Sequence, residues 1–262
     1  MSEENIIVVT GGSGRFAQSL KKIKSKYKFI YPSKNSLNII NLNSIKKFLK
    51  KEKPSSVLHL AALSRPMVQH EKNISNSINL NIIGTANLVN ICSELKIKLI
   101  YFSTGYVYEG KKGNYSENDP VKPFNNYGLS KLAGECATLM YNNSLVLRIA
   151  MTEKPFLHNK AFSSLKTNLL FHEDLVKILP KLINKKGIIN IGGPSQSVFS
   201  FVKKNNPNVN IKIFRNENNQ GLGFNYYATA YKAVGKFYML VNGDAVEPPS
   251  TIKKMLYSLG KA

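Results

Sequence analysis

The chain has 262 residues, 43% of them hydrophobic, and a formal net charge of +22 from 37 Lys and Arg against 15 Asp and Glu. That length and apolar fraction suit one large globular domain or two modest ones and exclude a disordered chain. No apolar run approaches the roughly 20 residues that span a bilayer, and two cysteines (Cys92, Cys136) with four scattered histidines make neither a disulfide framework nor a metal site.

"NIIVVT" (Asn5–Thr10) is a short β-branched run that reads as a buried parallel strand. The start "MSEENIIVVTGG" enters that strand at once, without the basic and then apolar pattern of a secretory leader, so a cytoplasmic protein is expected. "GGSGRFAQSLKKI" follows, glycine-rich and then helical in period. "KFIYP" (28–32) predicts a second strand, and "NLNSIKKFLKKEK" (41–53) an amphipathic helix capped at Asn43 or Ser44. "SSVLHLAA" (55–62) predicts a third strand, "SINLNIIGTANLVNICSELK" (77–96) a long helix, and "IKLIYFST" (97–104) a fourth strand. After a polar loop a helix begins near Tyr127. "SLVLRIA" (Ser144–Ala150) and "GIINIGG" (Gly187–Gly193) predict further strands, with the helix "HEDLVKILPKLI" between them.

Strand and helix alternate, so the expected fold is α/β, a doubly wound parallel sheet of Rossmann type with right-handed crossovers. A small C-terminal substrate lobe and an atypical tail complete the expectation. The expected units are residues 1–150, an NAD(P)-binding domain; 151–208, a substrate lobe with a returning strand; and 209–262, a tail. The linker-like "KKNNPNVN" (Lys203–Asn210) precedes the tail.

Between the first strand and its helix, "TGGSGRFA" places Gly11, Gly14 and Ala17 in a G-x-x-G-x-x-A spacing. Gly11 permits a tight turn, Gly14 lets the backbone approach phosphates, and Ala17 lets helix and strand pack closely. A helix N-terminus offers N–H groups and positive potential to a pyrophosphate. The spacing departs from the commoner G-x-G-x-x-G, and a purely structural turn is the competing reading. After the second strand, an acidic residue favours NAD and a basic one suits a 2′-phosphate. "YPSKNSLNII" holds no Asp or Glu; Ser33 and Lys34 are its polar candidates. The expected cofactor is therefore NADP or NAD, with NADPH preferred.

In "YGLSKLAGE" Tyr127 stands four residues before Lys131, so the two share a helix face. A free phenol titrates near ~10. A nearby ammonium favours the phenolate and brings the group toward the range of general acid–base work. "FSTGYVY" supplies Ser103 and Thr104 at a strand end, where open α/β sheets place their sites. The Tyr–Lys pair alone also fits a packing tyrosine beside a solvated lysine. The functional reading rests on the glycine turn, "HLAA", "STGYVY" and "YGLSK" occurring in order, each at a strand end or helix start.

With "VVTGGSGRFA", "VLHLAA", "NLNIIGTANLV", "FSTGYVYEG" and "YGLSKLAGE", the sequence resembles the extended short-chain dehydrogenase/reductase family, of the NAD-dependent epimerase/dehydratase type. Within it, the likeness is to the dTDP-4-dehydrorhamnose reductase branch and related nucleotide-sugar enzymes. "GIINIGGPSQSVFSFVKK" extends the likeness to Lys204. The resemblance implies an NAD(P)-dependent oxidoreductase acting on a nucleotide-sugar, reducing a 4-keto sugar. A nucleotide-sugar epimerase, or an inactive cofactor-binding regulatory subunit, is the alternative.

It further implies Tyr127 as the catalytic acid or base, with Lys131 lowering its pKa and holding the nicotinamide ribose. Thr104, with Ser103 beside it, would bond the reacting oxygen. Gly11, Gly12, Ser13 and Gly14, with Arg15 and Phe16 after them, would hold the pyrophosphate, and Ala61 and Ala62 would line the cofactor cleft. His59 reads as structural, Asn81 as structural or catalytic, and Arg148 as facing either substrate or a buried carboxylate. A homodimer is one oligomeric option. The sequence departs from the family pattern at Ala17 in place of a final Gly, at Gly105 in place of the Asp of Ser-Thr-Asp-Tyr, and at "LNII" in place of Leu-Asp-Ile.

The tail "NNQGLGFNYYATAYKAVGKFYMLVNGDAVEPP" resembles instead a fragment of an inverting GT-A glycosyltransferase, with Asn242 and Asp244 at the acidic motif. So short a piece cannot supply that fold alone, so a remnant, a fusion or a completion of the substrate lobe is expected. The lysines are spread along the chain, mostly on polar helix sides, and Lys, Asn and Ile share A/T-rich codons. The charge is therefore read as composition, with no specific nucleic-acid and no membrane partner.

Overall fold

The structure, a computed structural model, describes residues 5–111, 113–154, 160–162, 166–205 and 212–214. β1 (Ile6–Thr10) leads into α1 (Arg15–Leu20), β2 (Lys28–Ile30), α2 (Leu42–Glu52) and β3 (Ser56–His59). Then come α3 (Val68–Lys72), α4 (Ile74–Ser77), a π-helical stretch at Ile78–Ile83, α5 (Gly84–Glu94) and β4 (Lys98–Thr104). A 3-10 turn at Gly105–Val107 precedes α6 (Asn126–Leu139), β5 (Ser144–Ile149) and β6 (Met151–Thr152). The remaining elements are β7 (Lys160–Phe162), β8 (Lys166–Thr167), β9 (Leu170–Phe171), α7 (His172–Leu182), β10 (Gly187–Ile191), β11 (Gln196–Ser197), α8 (Val198–Asn205) and β12 (Lys212–Phe214).

Six strands form one sheet in the order β10-β5-β4-β3-β1-β2, and every pairing in it is parallel. Successive side chains of a strand point to opposite faces, and both faces are apolar. Ile7 and Val9 join Phe16, Leu20, Leu175 and Leu179 under α1 and α7. Val8 joins Ile45, Leu49, Leu88 and Cys92 under α2 and α5. This is the doubly wound arrangement, and the strand order reverses between β1 and β3. A crevice opens at that switch, outside the carboxyl ends of the strands.

Two local expectations shift. The cap of α2 is Asn41, whose Oδ1 accepts from Ser44 N at 2.9 Å. Ser44 Oγ instead accepts from Asn38 N at 3.0 Å. The long helix is not uniform: its centre widens into a π turn that carries the buried Asn81. Short two-stranded pairings (β6 with β9, β8 with β11, β7 with β12) follow the main sheet. Of residues 209–262 only β12 is described, so the glycosyltransferase-like stretch lies outside the described residues. Among the described residues no helix is long and apolar enough to cross a membrane.

Candidate active site

At the end of β1 the chain turns at Gly11, whose φ is +71°. A Cβ there would lie 2.7 Å from Ala61 N, so the first turn and the loop after β3 touch through backbone. That approach and that φ both require glycine. Gly14 N closes the turn on Gly11 O at 2.9 Å. Ser13, Gly14 and Arg15 are exposed, while Gly12 is buried with Tyr31 Cβ 2.9 Å from where its own Cβ would stand. Phe16 does not face the cleft: it is 5% exposed, with its ring 5.1 Å from Phe102 and 5.6 Å from His172. Helical rotation turns it inward one position after the exposed Arg15. Ala61 and Ala62 are half-buried at the crevice, and Ala61 N donates to Thr10 Oγ1. Ser33 and Lys34 are exposed just beyond β2, and Ser33 Oγ accepts from Ser36 N.

Beneath the crevice a polar chain fixes its own proton order. Leu60 N and Ala61 N donate to Thr10 Oγ1, whose proton goes to His59 Nδ1 at 2.8 Å. His59 Nε2 then carries the ring proton and donates to Thr85 Oγ1 at 3.0 Å, and Thr85 donates to Asn81 O at 2.8 Å. Burial, with Lys131 nearby, holds the His59 pKa down at about 3. Asn81 clasps Leu63 through both backbone groups and donates to Ser130 Oγ on α6. His59 and Asn81 are thus braces that join the crevice loops to the sheet and to α6.

Asn125 caps α6, its Oδ1 accepting from Gly128 N at 2.6 Å. The helix sets Tyr127 and Lys131 one turn apart. Tyr127 is half-buried. Its ring rests edge-on against Tyr106 at 5.6 Å and tilted against His70 at 5.1 Å. Burial raises the phenol above its ordinary pKa; the nearby Thr104 hydroxyl and the Arg65 charge act the other way. Lys131 is 3% exposed, with Nζ 4.0 Å from the Tyr101 ring centroid. Burial pulls its pKa down to about 7, against the pull of Glu135. The expected lowering of the phenol by Lys131 is therefore corrected for the protein's own groups. Desolvation of the phenolate dominates, and the cation acting on Tyr127 is Arg65.

Ser103 also departs from expectation. It lies next to Thr104 on β4 but on the opposite face, and its Oγ donates to the carboxylate of Glu135. Glu135 is fully buried and pairs with Arg148, at 2.9 Å from Nη2 and 3.1 Å from Nε. Arg148 Nη1 donates to Tyr108 Oη at 2.8 Å, which donates to Asn190 Oδ1 at 2.9 Å. Arg148 thus faces a buried carboxylate, and the Ser103 hydroxyl is committed to that ion pair.

Four further residues lie in or next to the site's segments without a sequence signal. Tyr31 packs its Cβ on Gly12 while its ring lies against Phe29 and under Lys21; its buried Oη has no hydrogen-bond partner among the described residues, and burial pushes its pKa up to about 12. His70 bonds Ser77 Oγ through Nδ1 at 2.8 Å, and its buried Nε2 has no hydrogen-bond partner among the described residues. Arg65 and Glu153 meet at 3.5 Å.

Residues 5–178 match the RmlD substrate binding domain. A dTDP-4-dehydrorhamnose reductase of Aggregatibacter actinomycetemcomitans is 26% identical over 196 residues, 73% of this chain and 63% of that protein. Methionine adenosyltransferase 2 subunit beta of Xenopus laevis is 30% identical over 152 residues, 54% of this chain and 45% of that protein. The matches thus span from under half to under two thirds of these relatives' length. A dTDP-4-dehydrorhamnose reductase of Bacillus anthracis, solved in complex with NADP, shares the fold. Its TM-score is 0.73 at 24% identity, over 82% of this chain and 84% of that one.

Proposed function

The chain belongs to the RmlD substrate binding domain family, and on that footing we propose that it is an NADP-dependent reductase of a nucleotide-linked 4-keto sugar. The observation that carries the reading is the approach of the Thr104 hydroxyl to Tyr127 at the crevice, with Lys131 one helical turn on. The residues suit a nicotinamide dinucleotide. The Gly11–Gly14 turn exposes backbone beside Arg15, and at Gly12 a Cβ would strike Tyr31 Cβ at 2.9 Å. Gly11 to Arg15 would hold the pyrophosphate, Tyr31, Ser33 and Lys34 would face the adenosine end, and Lys131 would take the nicotinamide ribose. Lys34, with no acid in that segment, supports NADPH over NADH.

When bound, the cofactor supplies the hydride. The Tyr127 and Thr104 hydroxyls lie near each other, so a ketone oxygen set between them would accept from both. Tyr127 then gives its proton to that oxygen as it gains negative charge. The phenolate left behind is stabilised by the charges of Arg65 and Lys131. Lys131 would hold a ribose hydroxyl at Nζ, and that contact would offset the burial that draws its pKa down.

The test is incubation with NADPH and dTDP-4-dehydrorhamnose, beside UDP-linked 4-keto sugars, following nicotinamide absorbance and the sugar product. Net consumption of NADPH with a reduced sugar is the expected result. An epimerase would convert the sugar and leave the cofactor unchanged. A second reading, a cofactor-binding subunit of another enzyme, is supported by the likeness to methionine adenosyltransferase 2 subunit beta. It predicts nicotinamide binding without turnover of any keto sugar.

A further inference from the structure

Three charged side chains from separate loops meet at the mouth of the crevice. Arg15 Nη1 lies 2.6 Å from Glu153 Oε1, and Arg65 Nη1 lies 3.5 Å from the same oxygen. Arg15 opens α1 behind the glycine turn, Arg65 follows β3, and Glu153 follows β6. The arginine side chains are half exposed (50% and 48%), whereas Glu153 is 14% exposed. Two guanidiniums therefore crowd one sheltered monoanion and leave an excess positive charge. Exposed ion pairs contribute little to folding, so a structural role does not explain why three loops deliver this arrangement to a crevice.

We infer that Arg15 and Arg65 form a clamp for a diphosphate group, and that the Glu153 carboxylate is its internal occupant, displaced when the diphosphate enters. A planar guanidinium fork matches phosphate oxygens bidentately, and a diphosphate carries the charge that two guanidiniums call for. A carboxylate on Oε1 alone satisfies neither fork. The Arg65 charge reaches the Tyr127 hydroxyl, so the clamp spans from the glycine turn to the acid–base pair. The inference rests on the reductase reading of the crevice.

Two ligands bring a diphosphate here, the dinucleotide and the nucleotide-sugar, and binding measurements separate them. Wild type, Arg65→Gln and Glu153→Gln are titrated calorimetrically with NADPH and, separately, with dTDP. Arg65→Gln is expected to weaken one of the two by roughly ten-fold or more, the loss typical of a charge-assisted hydrogen bond. Loss for NADPH assigns the clamp to the cofactor; loss for dTDP assigns it to the substrate. Glu153→Gln is expected to tighten the same ligand several-fold, because the competing carboxylate charge is gone. If wild type binds both ligands and neither variant changes either affinity by more than about two-fold, the clamp is overturned and the reductase reading stands. If Glu153→Gln weakens binding, Glu153 is a support and not an occupant. If wild type binds neither ligand, the clamp and the reductase reading fall together.

Discussion

Ser103→Ala and Thr104→Val change adjacent residues and should fail in different assays. Ser103 Oγ donates to a Glu135 carboxylate with no solvent exposure, which Arg148 also holds. Removing the hydroxyl leaves Oε1 with only the long 3.3 Å bond from Arg148 Nε where water does not reach. Hydrogen bonds to charged groups contribute about 1.5–3 kcal/mol. Arg148 stays in place, so the lower half of that range applies, about 2 kcal/mol. With a urea dependence of about 2 kcal/mol per molar, the unfolding midpoint should fall by on the order of 1 M. The kcat/KM of Ser103→Ala should stay within about two-fold of wild type, since its hydroxyl is committed to Glu135. Thr104→Val keeps the shape and removes the hydroxyl near Tyr127. Its midpoint should move little, and its turnover should fall by roughly 10²-fold, as for loss of one donor at a developing oxyanion. If Ser103→Ala lost turnover like Thr104→Val with its urea midpoint unchanged, the assignment of Ser103 to the buried ion pair would be wrong.

Three further outcomes follow from the same geometry. Burial pulls the Lys131 pKa down to about 7 from its ordinary 10.5, so between those values the unfolded chain binds a proton that the folded chain does not. Stability should therefore fall as pH drops through that window and level off below it. Lys131→Met should remove the slope and unfold at higher urea near neutral pH; an equal or lower midpoint there would contradict the burial argument. His59, held down at about 3 against 6.5, contributes stability that is full above 6.5 and is lost as pH falls toward 3. Nitrogen-15 spectra should show a neutral ring protonated at Nε2 at about pH 5, well above that folded value, and an imidazolium signal would refute the Thr10–His59–Thr85 order. Gly11→Ala puts a Cβ 2.7 Å from Ala61 N at a φ of +71°. It should cost about 1–3 kcal/mol in urea unfolding and weaken NADPH binding; wild-type behaviour in both would show the turn to be slack.

The sheet was legible because its strands are apolar runs and its helices carry helical spacing, down to the parallel order on either side of β1. Tyr127 and Lys131 were legible because four-residue spacing within one helix sets a shared face without any tertiary knowledge. The π turn at Ile78–Ile83 was not, since it keeps the apolar spacing of an ordinary helix. The cap of α2 slipped because Asn41, Asn43 and Ser44 all suit a cap, and backbone entry decides among them. Ser103 looked like a partner of Thr104 because a motif gives adjacency in sequence. Pleating puts the two on opposite faces, and the partner that claims Ser103 lies 32 residues on at Glu135. Phe16 sat inside the glycine motif, yet one step of helical rotation buries it. Arg65, Glu153 and His70 have no local pattern, because segments distant in sequence bring them to the site.

The most direct test of the account is hydride transfer in a single turnover by wild type and Tyr127→Phe, with NADPH affinity measured on the same samples. The account predicts affinity unchanged within about three-fold and a transfer rate lower by roughly 10²–10⁴-fold, the contribution of a positioned general acid. A Tyr127→Phe enzyme that transfers hydride at the wild-type rate would contradict it.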